Sequence, residues 1–297
     1  KFTKISSFNK IVISLISLLF FYLFYLSIPS LYNKGSLQKI LTNKIINEFN
    51  LNVSISSDIS YSILPSPHII VKNVKIFNNN QENPKELSQI KQFKIFISQK
   101  NFFNQDEIKI TKIFIEDSNF LIQREDLVFY DEFLQNKFSK KPIIIKKSNF
   151  FFKDNKNETI TIFPIRNVNL FYSDVKFLNI VKAKGKIFKI PFDLDFKKDF
   201  KKDNIVETRL KLNKLKLNMK NTSKNEDNKK IGFNELLISQ FKLNTNYEIK
   251  SDSLNFTSLN SKAYNNNIAY NGQMDLKPFF FNLSVNLDEI NLEKFFY

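Results

Sequence analysis

The stretch IVISLISLLFFYLFYLSI, at residues 11–28, contains no charged side chain. As an α-helix rising about 1.5 Å per residue it is roughly 27 Å long, which is enough to cross the hydrocarbon core of a bilayer. The stretch therefore predicts a transmembrane helix near the start of the chain. Everything after it is expected to work beside a membrane.

A signal peptide is the alternative to an anchor, because Lys1, Lys4 and Lys10 precede the apolar run. The apolar part of a signal peptide is shorter, however, and ends at a cleavage site made of small residues. Residues 27–30, SIPS, fit such a site poorly. We predict a retained single-pass anchor, with residues 1–10 in the cytoplasm under the positive-inside rule and the remainder on the far side.

A short amphipathic helix is predicted at residues 36–49. The residues that recur at helical spacing are Leu37, Ile40, Leu41, Ile45, Ile46 and Phe49, and Ser36 suits the N-cap. Such a helix either lies on the membrane surface or covers one end of the structure that follows it. We favour the second placement.

From residue 51 onward apolar residues recur with period two, which is typical of strands with one apolar and one polar face. The clearest run consists of Phe188, Ile190, Phe192, Leu194 and Phe196. Pro191 inside this run predicts an edge position or a bulge. Residues 50–297 are therefore predicted to form one β-rich domain. Their apolar ending, FFY, predicts a chain that continues past residue 297.

Other segments carry weaker signals. Alternation changes phase near residues 213–214, which predicts a bulge or turn there. Further strands are expected at residues 247–249 and 281–287, and a second helix at residues 127–138. The entirely polar segment NTSKNEDNKK, at residues 221–230, predicts a mobile loop.

Two segments resemble each other. Residues 113–126 are IFIEDSNFLIQRED, and residues 143–156 are IIIKKSNFFFKDNK. Their SNF tripeptides align, with apolar residues matching on both sides. This pattern fits similar strands added one after another.

The formal charge of +16 suggests nucleic acid as a partner at first sight. Lysine is spread along the whole chain, however, and only three arginines occur, although arginine is the usual reader of bases and phosphates. We therefore expect no nucleic-acid partner. Attraction to anionic lipid headgroups is a better explanation of the charge.

The sequence offers little for catalysis. Cysteine is absent, and the four glycines are too scattered for a phosphate-binding loop. His68 is the single histidine, which argues against a catalytic triad or a histidine metal cluster, and we predict an ordinary surface residue. Asp193 and Asp195 are predicted to lie on a solvated strand face. We expect a non-enzymatic protein with no catalytic residues, cofactor or metal.

Residues 37–78 carry the most specific pattern, LQKILTNKIINEFNLNVSISSDISYSILPSPHIIVKNVKIFN. An anchor helix, a short helix and then a segment of the form xSxxPxPxLxLxxVxI resemble the N-terminus of the AsmA family of bacterial envelope proteins. The matching positions are Ser62, Leu64, Pro65, Pro67, Ile69, Val71, Val74 and Ile76. The specific likeness extends over about the first 120 residues, and residues 126–134, DLVFYDEFL, depart from a Gly-x-x-Asn-Trp stretch common in the family.

The resemblance implies a mainly β fold in which the two N-terminal helices precede a long curved antiparallel sheet, shaped like a taco with an apolar inner face. It also implies a bacterial inner-membrane protein with its bulk in the periplasm. Its function would be phospholipid transport between membranes and outer-membrane homeostasis, with membrane phospholipids as partners.

Seven apolar residues are our candidates for the lining of such a lipid groove, although each would serve equally in an ordinary core. They are Phe120, Ile122, Phe150, Phe152, Phe188, Phe192 and Phe196. The alternative function is a non-catalytic scaffold or assembly factor that binds other envelope proteins, for example by strand addition at an exposed edge.

Overall fold

The computed structural model describes residues 6–78, 84–154, 156–264, 266–276 and 278–287, and within them the chain is mainly β. The helices are α1 (Ser7–Ser27), α2 (Lys34–Phe49) and α3 (Leu127–Gln135). The first strands are β1 (Asn52–Ser54), β2 (Ile59–Ser62), β3 (His68–Phe77), β4 (Glu86–Ile97), β5 (Ile110–Ile122) and β6 (Ile143–Lys153). The later strands are β7 (Thr159–Ser173), β8 (Leu178–Ile187), β9 (Ile190–Asp199), β10 (Ile205–Leu212), β11 (Leu217–Glu226), β12 (Lys229–Ile238), β13 (Phe241–Lys250), β14 (Ser253–Ser258), β15 (Ser261–Ala263), β16 (Asn266–Leu276) and β17 (Phe279–Leu287).

The predicted fold class is confirmed. An apolar helix and a short helix precede a long series of strands, and nearly all pairings between these strands are antiparallel. The chain divides into two compact units. Unit 1 comprises residues 1–133 and 141–160, and unit 2 comprises residues 134–140 and 161–297.

Most side chains of the apolar helix α1 are exposed, and among the described residues its contacts with the loops of unit 1 are confined to its last turns. Together with the 3₁₀ turn that follows it, α1 forms a candidate membrane span at Ser7–Leu31, with a mean hydropathy of 2.5 and 6% of its most apolar window buried. This span includes the predicted residues 11–28. The expected cytoplasmic segment 1–10 lies partly outside the described residues.

Helix α2 packs on β1, as expected from its apolar spacing. Leu37, Leu41, Ile45 and Phe49 are all buried, and Gln38 Nε2 donates a hydrogen bond to the carbonyl of Ile55 at 2.5 Å. The predicted cap was wrong, because the helix begins at Lys34, two residues earlier than expected. Asn33 Oδ1 accepts the hydrogen bond from the backbone N–H of Ser36 and so caps the helix.

In unit 1, β1 and β2 both pair with β3, and β4 and β5 follow in antiparallel order. Strands β5 and β6 are the exception, because they pair in parallel. A parallel pair needs a long connection, and α3 lies within it. The predicted second helix is thus confirmed, although it ends at Gln135.

The repeated segments of the sequence are neighbours in space. Every residue of β5 that pairs with β6 faces the residue thirty positions later, from Ile113 opposite Ile143 onward. Asp117 and Lys147 both adopt left-handed backbone conformations, with φ of 51° and 48°. The register is the same on both sides of these two residues, but the burial pattern of each strand changes phase across them. Just beyond these two residues, the N–H of Ser118 donates to Ser148 Oγ at 3.2 Å.

In unit 2, β7 to β13 form a meander in which each strand pairs antiparallel with the next. Strands β13 to β17 continue it, with the short β14 and β15 both pairing with β13 and with β16. The predicted turn near residues 213–214 separates β10 from β11. Pro191 lies on β9 beyond the last residue paired with β10, so it occupies a local edge as predicted.

The prediction of a mobile loop at residues 221–230 was wrong. These residues form the ends of β11 and β12, which pair in register from Asn221 opposite Asn234 to Glu226 opposite Lys229. The backbone ladder continues here although the side chains are polar on both faces, because strand pairing needs only backbone groups. The sequence pattern could not show this, since it reports side-chain burial alone.

Two alanine substitutions in α2 test its packing on the core of unit 1. Leu41 is fully buried, whereas Ile46 is 39% exposed on the same helix. We expect Leu41→Ala to lower the free energy of unfolding by about 2–5 kcal/mol, because it leaves a cavity, and Ile46→Ala to lower it by less than about 1 kcal/mol. Urea unfolding of the full chain in detergent micelles measures both. Equal losses would contradict the packing of α2.

Candidate functional site

One face of the sheet in unit 2 is apolar along most of its strands. Residues directly opposite each other in antiparallel strands lie on the same face, so the strand registers define this face across β8 to β16. We call it the apolar face, and its members are Val181, Ala183, Phe192, Leu194, Phe196, Val206, Leu210, Met219, Leu236, Leu243, Tyr247, Ile249, Leu254, Phe256 and Met274.

The opposite face is polar and carries ion pairs between neighbouring strands. Lys184 contacts Asp193 at 3.1 Å, and Lys229 contacts Glu248 at 3.1 Å. These groups are well exposed, so each pair adds little to stability. Their main effect is to keep this face in water, which leaves the apolar face as the surface that must be covered by something else.

The apolar face is covered far less completely than the core of unit 1. All the largest fully buried side chains of the described residues belong to unit 1, and they are Phe93, Phe102, Leu41, Ile45, Ile69, Leu87, Ile90, Ile95, Ile110, Ile113, Ile115 and Val71. On β10 to β16 the members of the apolar face are half-buried instead. Here the sheet therefore keeps much of its apolar surface within reach of a ligand.

Three aromatic rings lie flat over glycines on this side of the sheet. Phe192 covers Gly185, Tyr247 covers Gly232, and Phe256 covers Gly272, each in the neighbouring strand. A Cβ atom added to Gly232 would lie 2.4 Å from the Tyr247 ring. The ring replaces the side chain that glycine lacks, and it shields the backbone of the strand beneath it.

Polar contacts close one end of the apolar face. The ammonium of Lys198 donates to the carbonyl and to Oε1 of Gln135, both at 2.7 Å. Asn179 Nδ2 donates to the carbonyl of Asn136 at 2.7 Å, and Asn179 Oδ1 accepts from the N–H of Phe138 at 2.9 Å. Residues 134–140 therefore lie across β8 and β9 at this end.

A cavity of about 890 Å³ extends over β10 to β17. Its lining includes Ser223, Gly232, Tyr247, Phe256 and Gly272, together with their neighbours along each strand. In the order given, each of these five residues is the direct cross-strand partner of the next. The cavity therefore runs across the strands rather than along one of them. Its volume is within the range typical of small-molecule sites.

The structure separates the seven predicted lining residues into two groups. Phe192 and Phe196 lie on the apolar face of unit 2. Phe188 lies beyond that strand in the β8–β9 turn, with φ of 48° and 75% exposure. The other four lie in unit 1, where Phe120 stacks on Phe150 at a centroid distance of 4.7 Å and Ile122 pairs with Phe152.

Sequence reasoning missed the members of the apolar face on β12 to β16. Leu236, Leu243 and Phe256 have mainly polar neighbours in the sequence. In addition, Gly232 and Gly272 interrupt the alternation of apolar and polar residues at the positions over which the aromatic rings lie. The available signal was the pairing of each strand glycine with an aromatic residue. That signal becomes visible only when the register is known.

The single histidine is structural rather than exposed, so its predicted surface position was wrong. His68 is 4% exposed, its ring stacks on Phe96 at 4.9 Å, and its Nδ1 lies 2.8 Å from the carbonyl of Ser66. Asp193 lies on the polar face, as predicted. Within the described residues, no three His, Cys, Asp or Glu side chains are grouped closely enough to hold a metal ion.

Comparison with known proteins gives one family match. The model of the AsmA family matches residues 6–127, which cover α1, α2 and β1 to β5. A search of curated proteins found no match. The family assigned from the sequence pattern is therefore confirmed for this region.

Two glycine substitutions test the aromatic cover of the sheet. We expect Gly232→Ala to lower the free energy of unfolding by about 1–3 kcal/mol, because its methyl group must displace the Tyr247 ring. Gly35→Ala is the control. It lies in α2 with only Asn33 Oδ1 nearby at 3.5 Å, so the better helix former should be neutral or stabilise by up to about 1 kcal/mol. Thermal unfolding of both full-length variants measures the difference, and a neutral Gly232→Ala would contradict the ring contact.

Proposed function

Because residues 6–127 of this chain belong to the AsmA family, whose members act in the bacterial envelope, we propose that the protein carries phospholipid acyl chains along the apolar face of unit 2. In this proposal α1 anchors the chain in the inner membrane and the β-rich part lies in the periplasm. The lipids move between membranes and so support assembly and homeostasis of the outer membrane.

The observation that carries this proposal is the incomplete burial of the apolar face. A sheet with one apolar and one polar face normally packs its apolar side on a second layer. On β10 to β16 that side remains half-buried among the described residues. An acyl chain laid on it would gain about 0.8 kcal/mol for each methylene removed from water.

The surface is suited to movement as well as to binding. One row of direct cross-strand partners is apolar on four successive strands, namely Leu210, Met219, Leu236 and Leu243, so an acyl chain that slides along this row exchanges one apolar contact for another. Such movement requires neither a catalytic residue nor a cofactor, and we propose none. Lysines on the polar face and the net charge of +16 would attract anionic headgroups.

The orientation follows from the anchor. The candidate span Ser7–Leu31 lies near the N-terminus, and Lys4 and Lys10 flank its start. Under the positive-inside rule these two lysines favour a cytoplasmic N-terminus, and we propose that both β-rich units lie on the periplasmic side. Periplasmic placement would put the apolar face in the compartment that lipids cross on their way to the outer membrane.

Two neighbouring leucines on β12 give a direct test of lipid contact. Leu236 is a half-buried member of the apolar face, and Leu237 is 44% exposed on the opposite face. A photo-crosslinking amino acid at position 236 should form phospholipid adducts in bacterial membranes, whereas the same group at position 237 should form few. Mass spectrometry of the purified adducts identifies the lipid.

The outcome also decides between lipid carriage and the scaffold alternative. Adducts of phospholipid at position 236 well above those at position 237 support the proposal. Protein adducts alone at position 236 would reject it and favour a scaffold that binds envelope proteins. Equal lipid adducts at both positions would show contact with bulk membrane rather than with the apolar face.

A charge on the same two positions tests transport. Leu236→Asp places a carboxylate in the path of the acyl chain, which costs several kcal/mol to desolvate, so we expect phospholipid transfer between vesicles to slow by at least about tenfold. Leu237→Asp should slow it by less than about twofold, because the carboxylate stays in water. Transfer of a fluorescent phospholipid by the reconstituted full chain measures both rates. Similar rates for the two variants would contradict the proposed track.

A further inference from the structure

A loop of unit 1 is held against the last turns of α1. Tyr25 Oη donates to the carbonyl of Gln99 at 2.6 Å, and Tyr22 Oη donates to Gln99 Oε1 at 3.2 Å. The ring of Tyr25 also stacks on the ring of Phe102, with 5.4 Å between the ring centroids, and its centroid lies 5.6 Å from that of Phe103. The β4–β5 loop is therefore fixed to the helix at the level of these two tyrosines.

A second loop approaches the same end of the helix. Tyr61 Oη donates to the carbonyl of Leu26 at 2.6 Å, and burial raises the pKa of this hydroxyl to about 12. Residues 61–64 line a cavity of about 410 Å³ together with Ser27 and Ser30. We call residues 61–64 and 99–103 the collar, because both segments contact the end of the span.

The contacts with α1 determine the depth of the collar relative to a bilayer. About 20 helical residues cross a hydrocarbon core, and counted from Phe8 they end at Ser27. Tyr22 lies five residues, or about 8 Å, before that end. If the core begins after Lys10 instead, its end moves toward Leu31 and the collar lies deeper. The β4–β5 loop thus reaches the boundary between headgroups and acyl chains.

The outward side chains of the collar suit that boundary. Phe103 is 80% exposed and Leu64 is 78% exposed, and Leu31 at the end of the span is 79% exposed. Exposed Lys100 lies beside Gln99, where its ammonium can reach lipid phosphates. Apolar tips flanked by tyrosines and a lysine are the composition found at membrane interfaces.

We propose that the collar inserts into the interfacial layer of the membrane, with Phe103 and Leu64 among the upper acyl chains. The partner is the bilayer itself, since both collar loops contact the last turns of the candidate span. The collar holds unit 1 directly on the bilayer rather than on a flexible tether. This inference depends on α1 crossing a membrane and is independent of lipid movement by unit 2.

Tryptophan fluorescence can test the insertion, because the chain contains no tryptophan. Phe103→Trp and Leu64→Trp each provide one indole at the collar. The full chain is reconstituted into vesicles of phosphatidylethanolamine and phosphatidylglycerol, with and without bromine on the acyl chains. We expect brominated chains to quench both variants, and the emission to shift to shorter wavelength than that of a hydrated indole.

Two further variants provide the controls. Val175→Trp, 90% exposed in the turn before β8, should remain unquenched by brominated lipid and be quenched by aqueous acrylamide. Phe20→Trp, 65% exposed in the span, should be quenched by brominated lipid. Thermal unfolding of each variant shows that the fold is kept.

The results show whether the collar side chains are surrounded by lipid, by water or by protein. Quenching of Phe103→Trp and Leu64→Trp by brominated chains, beside quenched Phe20→Trp, supports the inference. Quenching of both collar variants by acrylamide alone overturns it, and so does protection from both quenchers, which would indicate a protein cover. Unquenched Phe20→Trp also overturns it, because α1 would then not enter the bilayer.

Discussion

Backbone hydrogen bonding between consecutive strands is the interaction on which the larger part of this protein depends. Unit 2 is a meander from β7 to β17, and the members of its apolar face on β10 to β16 are half-buried, whereas the largest fully buried side chains of the described residues belong to unit 1. The ladders therefore continue without a dense second layer beneath them. Aromatic rings over Gly185, Gly232 and Gly272 supply cross-strand packing where a strand has no side chain of its own.

This arrangement explains how one sheet can be ordered and still offer an apolar surface. Strand registers are set by short turns, whose residues adopt left-handed conformations without using glycine, as Asn204 and Asp227 do. The polar face stays in water through its lysines and carboxylates. What remains on the other side is a half-buried band in which leucine, phenylalanine, valine and methionine predominate.

Unit 1 differs from unit 2 in having a fully buried core. Its dense core is covered by α2 and joined to α1 through the hydroxyls of Tyr22, Tyr25 and Tyr61, so it forms a base at the end of the candidate membrane span. Tyr61 bonds to the backbone of α1, and Tyr25 of α1 bonds to the backbone of the β4–β5 loop, so these two hydrogen bonds oppose rotation of α1 relative to the strands of unit 1. If α1 crosses a bilayer, a base joined to it in this way would hold unit 1 at a defined position relative to that bilayer.

The sequence by itself determined the apolar span, the amphipathic helix and the mainly β class, because charge-free length and side-chain periodicity are local properties. Its motif at residues 62–76 also indicated the likeness of the N-terminal region to the AsmA family. The sequence also indicated the likeness of residues 113–126 to residues 143–156. Only the tertiary structure decided that these segments pair in parallel, that residues 221–230 are strands, and that His68 is buried. Register, backbone pairing and burial arise between residues distant in the chain, so the order of side chains along one strand cannot report them.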